Sequence, residues 1–230
     1  MDATFMILRW SHFLFGVMWI GLLYYFNVVQ TPFFAETDPA VRSGAIQKLV
    51  PRALWWFRWG AMGTFLIGWA YMLMWWDARL DFAITPWTVA ILTGGTMGTI
   101  MFLNVWLVIW PNQKIVIANA VAVAGGAPAN PAAAPAGQRA GFASRTNTLF
   151  SIPMLFFMGA ASHYALFTEA TSGGVTAWIL ICGLIILAVE ANALFGTTGL
   201  GKRLLGSISG VIHGGIVLTI ILVAVIMVVL

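Results

Sequence analysis

With 61% hydrophobic and only 8% charged residues among 230, and a mean hydropathy of +0.93, the chain falls outside the usage of soluble globular domains. Its net charge of +4 is explained below by membrane topology, so no nucleic-acid partner is expected. The composition predicts an all-α integral membrane protein, with the lipid bilayer as its first partner.

Six stretches reach the length of about 20 mostly apolar residues that a crossing needs: residues 5–29, 56–76, 86–110, 148–167, 175–195 and 208–230. All six are expected to be helices, because backbone facing lipid must satisfy its own hydrogen bonds. The first stretch is too long for a signal-peptide core, has no basic residue before Arg9 and shows no convincing small-residue cleavage site, so it is read as a span. Nine of the 11 Lys and Arg residues lie in or beside the odd-numbered loops, leaving only Arg9 and Arg79 on the other side. By the positive-inside rule this places both termini on the periplasmic side of a bacterial inner membrane. The reading is thus a bundle of about six transmembrane helices forming a single membrane domain over residues 1–230.

The first span carries His12 about seven residues in, with Gly16 one turn deeper on the same face. After it, Thr37-Asp38-Pro39 has the form of a helix start, and Val41, Ala45, Ile46 and Leu49 recur at helical spacing before Pro51. Residues 37–50 are therefore predicted to form a short amphipathic helix on the cytoplasmic surface. Arg58 opens the second span and Asn104 lies near the end of the third. The tract VAVAGGAPANPAAAPAG, residues 121–137, has no charge and little to build a core from, and reads as a flexible linker within the third loop.

His163 lies near the outward end of the fourth span, with Gly159 one turn closer to the bilayer centre. Its depth matches that of His12. Two imidazoles at matching depth, each beside a glycine that leaves room for a flat macrocycle, suit axial ligation of haem b iron. The other reading of the same residues is hydrogen bonding and close packing between neighbouring helices. Cys182 is the chain's one cysteine, so neither a disulfide nor covalent haem attachment is expected. Glu190 is the one acid well inside a span and needs neutralisation or a partner, with Arg58 or His213 as candidates. His213, among Gly210, Gly214 and Gly215, lies on the cytoplasmic side, where packing, proton handling and a further cofactor role all remain open. Asn27, Gln30, Arg58, Asn104, Asn147, Glu190, Asn192 and His213 all sort into the cytoplasmic half or its boundary. They form either a polar cavity for substrate or protons, or structural pairs closing the bundle.

The segments WSHFLFGVMWIGLLYYFN, WWFRWGAM, MFLNVWLVIWPNQK and SRTNTLFSIPMLFFMGAASHY together resemble the urate oxidase N-terminal family across nearly the whole chain. The resemblance implies a membrane-bound urate hydroxylase chemistry: oxidation of urate to 5-hydroxyisourate, with water as the oxygen source and cytochrome c as electron acceptor. Members of that family include urate hydroxylases whose membrane part is followed by a cytochrome c domain, whereas this sequence has no Cys-x-x-Cys-His motif. Electrons are then expected to leave to a separate periplasmic cytochrome c or a larger membrane complex. On this reading His12 and His163 ligate iron, Arg58, Arg145, Asn104 and Asn147 hold an anionic substrate, and Glu190 or His213 moves protons. The alternatives are a non-catalytic cytochrome b-like subunit, relaying electrons or serving as a structural partner, and a small-solute transporter or channel without a cofactor. Whether the chain forms a homo-oligomer is left open by its sequence.

Overall fold

The computed structural model describes residues 3–79 and 84–230. The side chain of Arg79, which entered the charge count above, lies outside the described residues. Every described element is a helix: α1 Ala3–Tyr24, α2 Thr31–Glu36, α3 Pro39–Arg79, α4 Pro86–Leu103, α5 Trp110–Ala124, α6 Ala133–His163, α7 Ser172–Leu194, α8 Leu200–Leu204 and α9 Ile208–Val229. Two π-helical turns, Tyr25–Gln30 and Asn104–Ile109, join α1 to α2 and α4 to α5 without a break.

Among the described residues four helical runs are long and apolar enough to cross a membrane: Ala3–Glu36, Pro86–Ala124, Ser172–Leu194 and Ile208–Val229. The other two stretches expected to cross, 56–76 and 148–167, fall in the longer helix α3 and in α6 with the loop after it. Tryptophans, glycines and hydroxyl residues make them less apolar. The large apolar side chains left exposed, such as Val17 on α1, Leu184 on α7 and Val228 on α9, suit contact with lipid.

Residues 37–50 do not form a separate short helix. Thr37 is extended at φ −87°, ψ 158°, and from Pro39 the chain is one helix of 41 residues that continues through Pro51. The apolar stripe explains the continuity: Val50, Leu54, Phe57 and Ala61 are all buried and recur every three or four residues across the proline. Burial of that face outweighs the one helical hydrogen bond that Pro51 cannot donate. The Ala/Pro/Gly tract 121–137 is helical at both ends. Alanine carries α5 to Ala124, where Gly126 at φ +88° ends the helix, with Ala127 N–H bonding Ala122 O and Gly126 N–H bonding Val123 O. Only residues 125–132 lie between α5 and α6.

The chain divides into two compact units, Met1–Ala78 with Phe102–Ser144, and Arg79–Met101 with Arg145–Leu230. In the first, α1 and α3 run antiparallel: Arg9 Nη2 donates to the Tyr71 hydroxyl at 2.9 Å, and the Phe26 and Phe57 rings meet edge to face at 5.4 Å. Gly60 permits their close approach, since a Cβ there would lie 3.1 Å from the Trp19 backbone nitrogen. In the second unit, Trp178, Cys182, Ile186, Glu190 and Ala193 form one buried stripe on α7, and Val211, Gly215, Leu218, Leu222 and Ile226 form another on α9. Residues Thr146 to Ser151 of α6 are buried on every side. At Gly215 a Cβ would lie 2.8 Å from Leu149 O, so glycine sets the α6 to α9 spacing.

Candidate functional site

Three of the residues singled out from sequence, His12, Arg58 and Asn104, fall in the first unit together with Gly16. His12 Nδ1 lies 2.9 Å from the main-chain carbonyl of Thr64 on α3. A carbonyl oxygen only accepts, so Nδ1 carries the proton and Nε2 keeps its lone pair. Nothing else among the described residues hydrogen-bonds the ring. This is the tautomer that metal-ligating histidines adopt, with one nitrogen held by a backbone acceptor and the other left for the metal. A second glycine, not noticed in the sequence, makes room for the ring: a Cβ at Gly68 would lie 2.7 Å from His12 Cε1. At Gly16 a Cβ would make only an ordinary 3.9 Å contact with Thr64 Cγ2.

Arg58 lies six residues before Thr64 on α3, a separation of roughly 9 Å along the helix axis. Its guanidinium carbon stands 3.9 Å from the Trp110 ring centroid and 5.8 Å from that of Trp106. Trp59 closes on Trp106 edge to face at 5.6 Å, and Lys114 Nζ stands 5.6 Å from the Trp110 ring. Arg58 Nε and Trp106 Nε1 are both buried without a hydrogen-bond partner. Asn104, 3% exposed, opens the second π turn beside this cluster. Sequence reasoning missed Trp106. The available signal was Pro111, which follows an apolar run that has already reached full span length.

Both π turns have the same cause. In each, the last N–H before a proline reaches back five residues, Thr31 N–H to Phe26 O and Trp110 N–H to Val105 O. The next residue, Pro32 or Pro111, has no N–H to give. The carbonyls of Asn27 and Trp106 therefore lose their helical donors. Asn27 Nδ2 itself donates to Leu23 O and to Ser144 Oγ, and Gln30 Oε1 is buried without a partner.

The remaining candidates fall in the second unit. His163 is exposed as the last residue of α6, and a Cβ on Gly159 would meet nothing within 4 Å. His213 is exposed and its Nδ1 lies 3.1 Å from Ser209 Oγ, one turn earlier on the same helix. Two proposed substrate groups hold the protein's own backbone: Arg145 Nη1 donates to Leu205 O at 2.7 Å, and Asn147 Nδ2 to Met101 O at 2.9 Å. Glu190 is 9% exposed on the last turns of α7. The cation that reaches this helix end is Lys202, one of the nine basic residues counted above in or beside the odd-numbered loops. It is 5% exposed and its Nζ donates to Ala193 O at 2.9 Å, a charge placed where the helix dipole is negative. Among the described residues no group of three or more His, Cys, Asp and Glu side chains could hold a metal ion.

The fold is of an all-helical class, with four helical runs among the described residues long and apolar enough to cross a membrane, and one unit holds both the His12 to Thr64 contact and the Arg58 tryptophan cluster. The urate oxidase N-terminal family model matches residues 83–228, well over half of the chain, and the chain belongs to that family. It matches no curated protein and no solved structure.

Proposed function

We propose that the protein is a haem b-containing oxidoreductase of the bacterial inner membrane that oxidises urate to 5-hydroxyisourate and passes electrons to a separate periplasmic cytochrome c. The overall change adds the oxygen of one water to urate and releases two protons and two electrons. The observation that carries the reading is the His12 imidazole, fixed through Nδ1 by Thr64 O with Nε2 left as a lone pair. Family membership supplies the link to urate. Haem, when bound, would supply one-electron redox chemistry, and His12 would be a residue that holds it. Arg58 would hold the anionic substrate, and Glu190 or His213 would take up protons. In this reading all six apolar stretches cross the bilayer, with α3 and α6 supplying the second and fourth crossings and both termini periplasmic.

The separation of about 9 Å along α3 between Arg58 and the His12 anchor supports this assignment, because it keeps the substrate group and the iron ligand in one compact unit. The test is anaerobic addition of urate to the oxidised, purified protein. Appearance of the reduced haem spectrum with stoichiometric 5-hydroxyisourate is expected. Bound haem that stays oxidised under urate would contradict the enzyme and leave a cytochrome b-like electron relay.

A further inference from the structure

We infer that Arg58, Trp106 and the π turn between them and Pro111 form a binding site for a flat, anionic lactam ring. Such a ring carries alternating N–H and C=O groups on its edge. The inference deepens the proposed function and rests on it for the choice of urate as the ring.

Three groups without a partner are carried by Arg58 and Trp106. Arg58 Nε–H and Trp106 Nε1–H are buried donors with no acceptor, and the Trp106 carbonyl has lost its helical donor because Trp110 N–H goes to Val105 O and Pro111 has no N–H. Buried polar groups left without partners are rare and costly in a folded protein, and such clusters mark ligand or water sites. Two donors call for an acceptor on the ligand, and the carbonyl without a helical donor calls for a donor. A phosphate would answer the first two groups and repel the third. A lactam edge answers all three, because each ring amide offers a C=O beside an N–H.

The surroundings specify the rest of the ligand. Trp110 lies 3.9 Å under the guanidinium and fixes its plane, while Trp59 stands edge-on to Trp106 at 5.6 Å, so the walls are flat and aromatic and favour a flat guest. Lys114, 5.6 Å from the Trp110 ring, adds a second positive charge. Two cations and aromatic walls select an anion that is also a delocalised ring, which a urate monoanion is. The π turn is the positioning element: it leaves the backbone carbonyl free on the residue that also supplies the indole N–H, an arrangement a regular α-helix would not allow.

Equilibrium dialysis of labelled urate against the full-length protein in lipid nanodiscs tests this, with Trp106→Phe and Arg58→Lys as variants. Trp106→Phe keeps an aromatic ring and removes the N–H, and Arg58→Lys keeps the charge and removes Nε–H, so either is informative should the other fail to fold. Both are expected to weaken urate binding at least about tenfold, the cost of one hydrogen bond to a charged group, and millimolar inorganic phosphate is expected not to displace urate. Unchanged affinity in the folded variants, displacement by phosphate, or no urate binding by the wild type would each overturn the inference. Binding that depends on Trp106 without oxidation of urate would uphold the site and defeat the proposed reaction. Oxidation by a protein whose affinity ignores both substitutions would do the reverse.

Discussion

The His12 imidazole and the Thr64 main-chain carbonyl, 2.9 Å apart on antiparallel helices α1 and α3, fix both the tautomer and the orientation of the ring. Because the acceptor is backbone, no side-chain substitution at residue 64 removes it. The arrangement depends instead on how closely α3 passes His12, and Gly68 controls that approach.

Gly68→Ala would put a methyl group 2.7 Å from His12 Cε1, and the ring would have to move away from its Thr64 acceptor. Overpacking of this kind costs about 1–3 kcal/mol, and about 1.4 kcal/mol is tenfold in an equilibrium. Haem retention after purification is expected to fall by about that factor. Gly21→Ala, where the methyl meets nothing within 4 Å, serves as the control and should retain haem fully. Haem per protein, measured by pyridine haemochrome, reads both.

Pro111→Ala restores the missing N–H and allows the second π turn to relax to an α-helix. The Trp106 carbonyl then gains a donor, so thermal stability is expected to rise, by about 1 kcal/mol for one recovered hydrogen bond. Urate affinity is expected to fall at the same time, because the carbonyl is no longer offered to a ligand. A variant that is more stable and binds urate as well as wild type would show that the π turn serves packing alone.

Lys202→Met removes the cation bound to Ala193 O at the end of α7. The expected loss is about 1–3 kcal/mol, read as a lower melting temperature in detergent. Burial lowers the Lys202 pKa from its ordinary value, which also fixes a sign for pH. Between the lowered folded value and the ordinary unfolded one, the unfolded chain holds the extra proton, so stability rises with pH across that window. Wild type should show this rise toward alkaline pH and Lys202→Met should lack it; equal slopes would place the effect elsewhere.

Arg145→Met leaves Leu205 O, which follows α8, without its charged donor 2.7 Å away. A charge-assisted bond of this kind contributes about 1.5–3 kcal/mol. The variant is expected to lose stability by that amount while keeping urate affinity, since Arg145 is committed to the backbone. Loss of urate affinity with unchanged stability would return Arg145 to the substrate.

The all-helical class and the position of His12 were legible because membrane helices announce themselves by length and composition, and an imidazole in an apolar stretch stands out. The continuity of α3 through Pro51 was not legible, because a proline reads locally as a stop and only the buried series Val50, Leu54, Phe57 and Ala61 shows that tertiary packing overrides it. The reach of α5 to Ala124 was missed for the opposite reason: alanine is the best helix former, yet its mixture with Gly and Pro read as low complexity. Trp106 and Lys202 were hidden by residue type. A tryptophan near a membrane boundary and a lysine in a short loop have ordinary explanations, and only the buried indole N–H and the bond to Ala193 O set them apart.

The central claim, that His12 ligates haem through Nε2, is tested most directly by the visible absorption spectrum of the purified protein beside that of His12→Ala. The account predicts a Soret band that shifts on reduction in the wild type and is lost in a folded His12→Ala variant. No such band in the wild type, or an unchanged band in the variant, would contradict it.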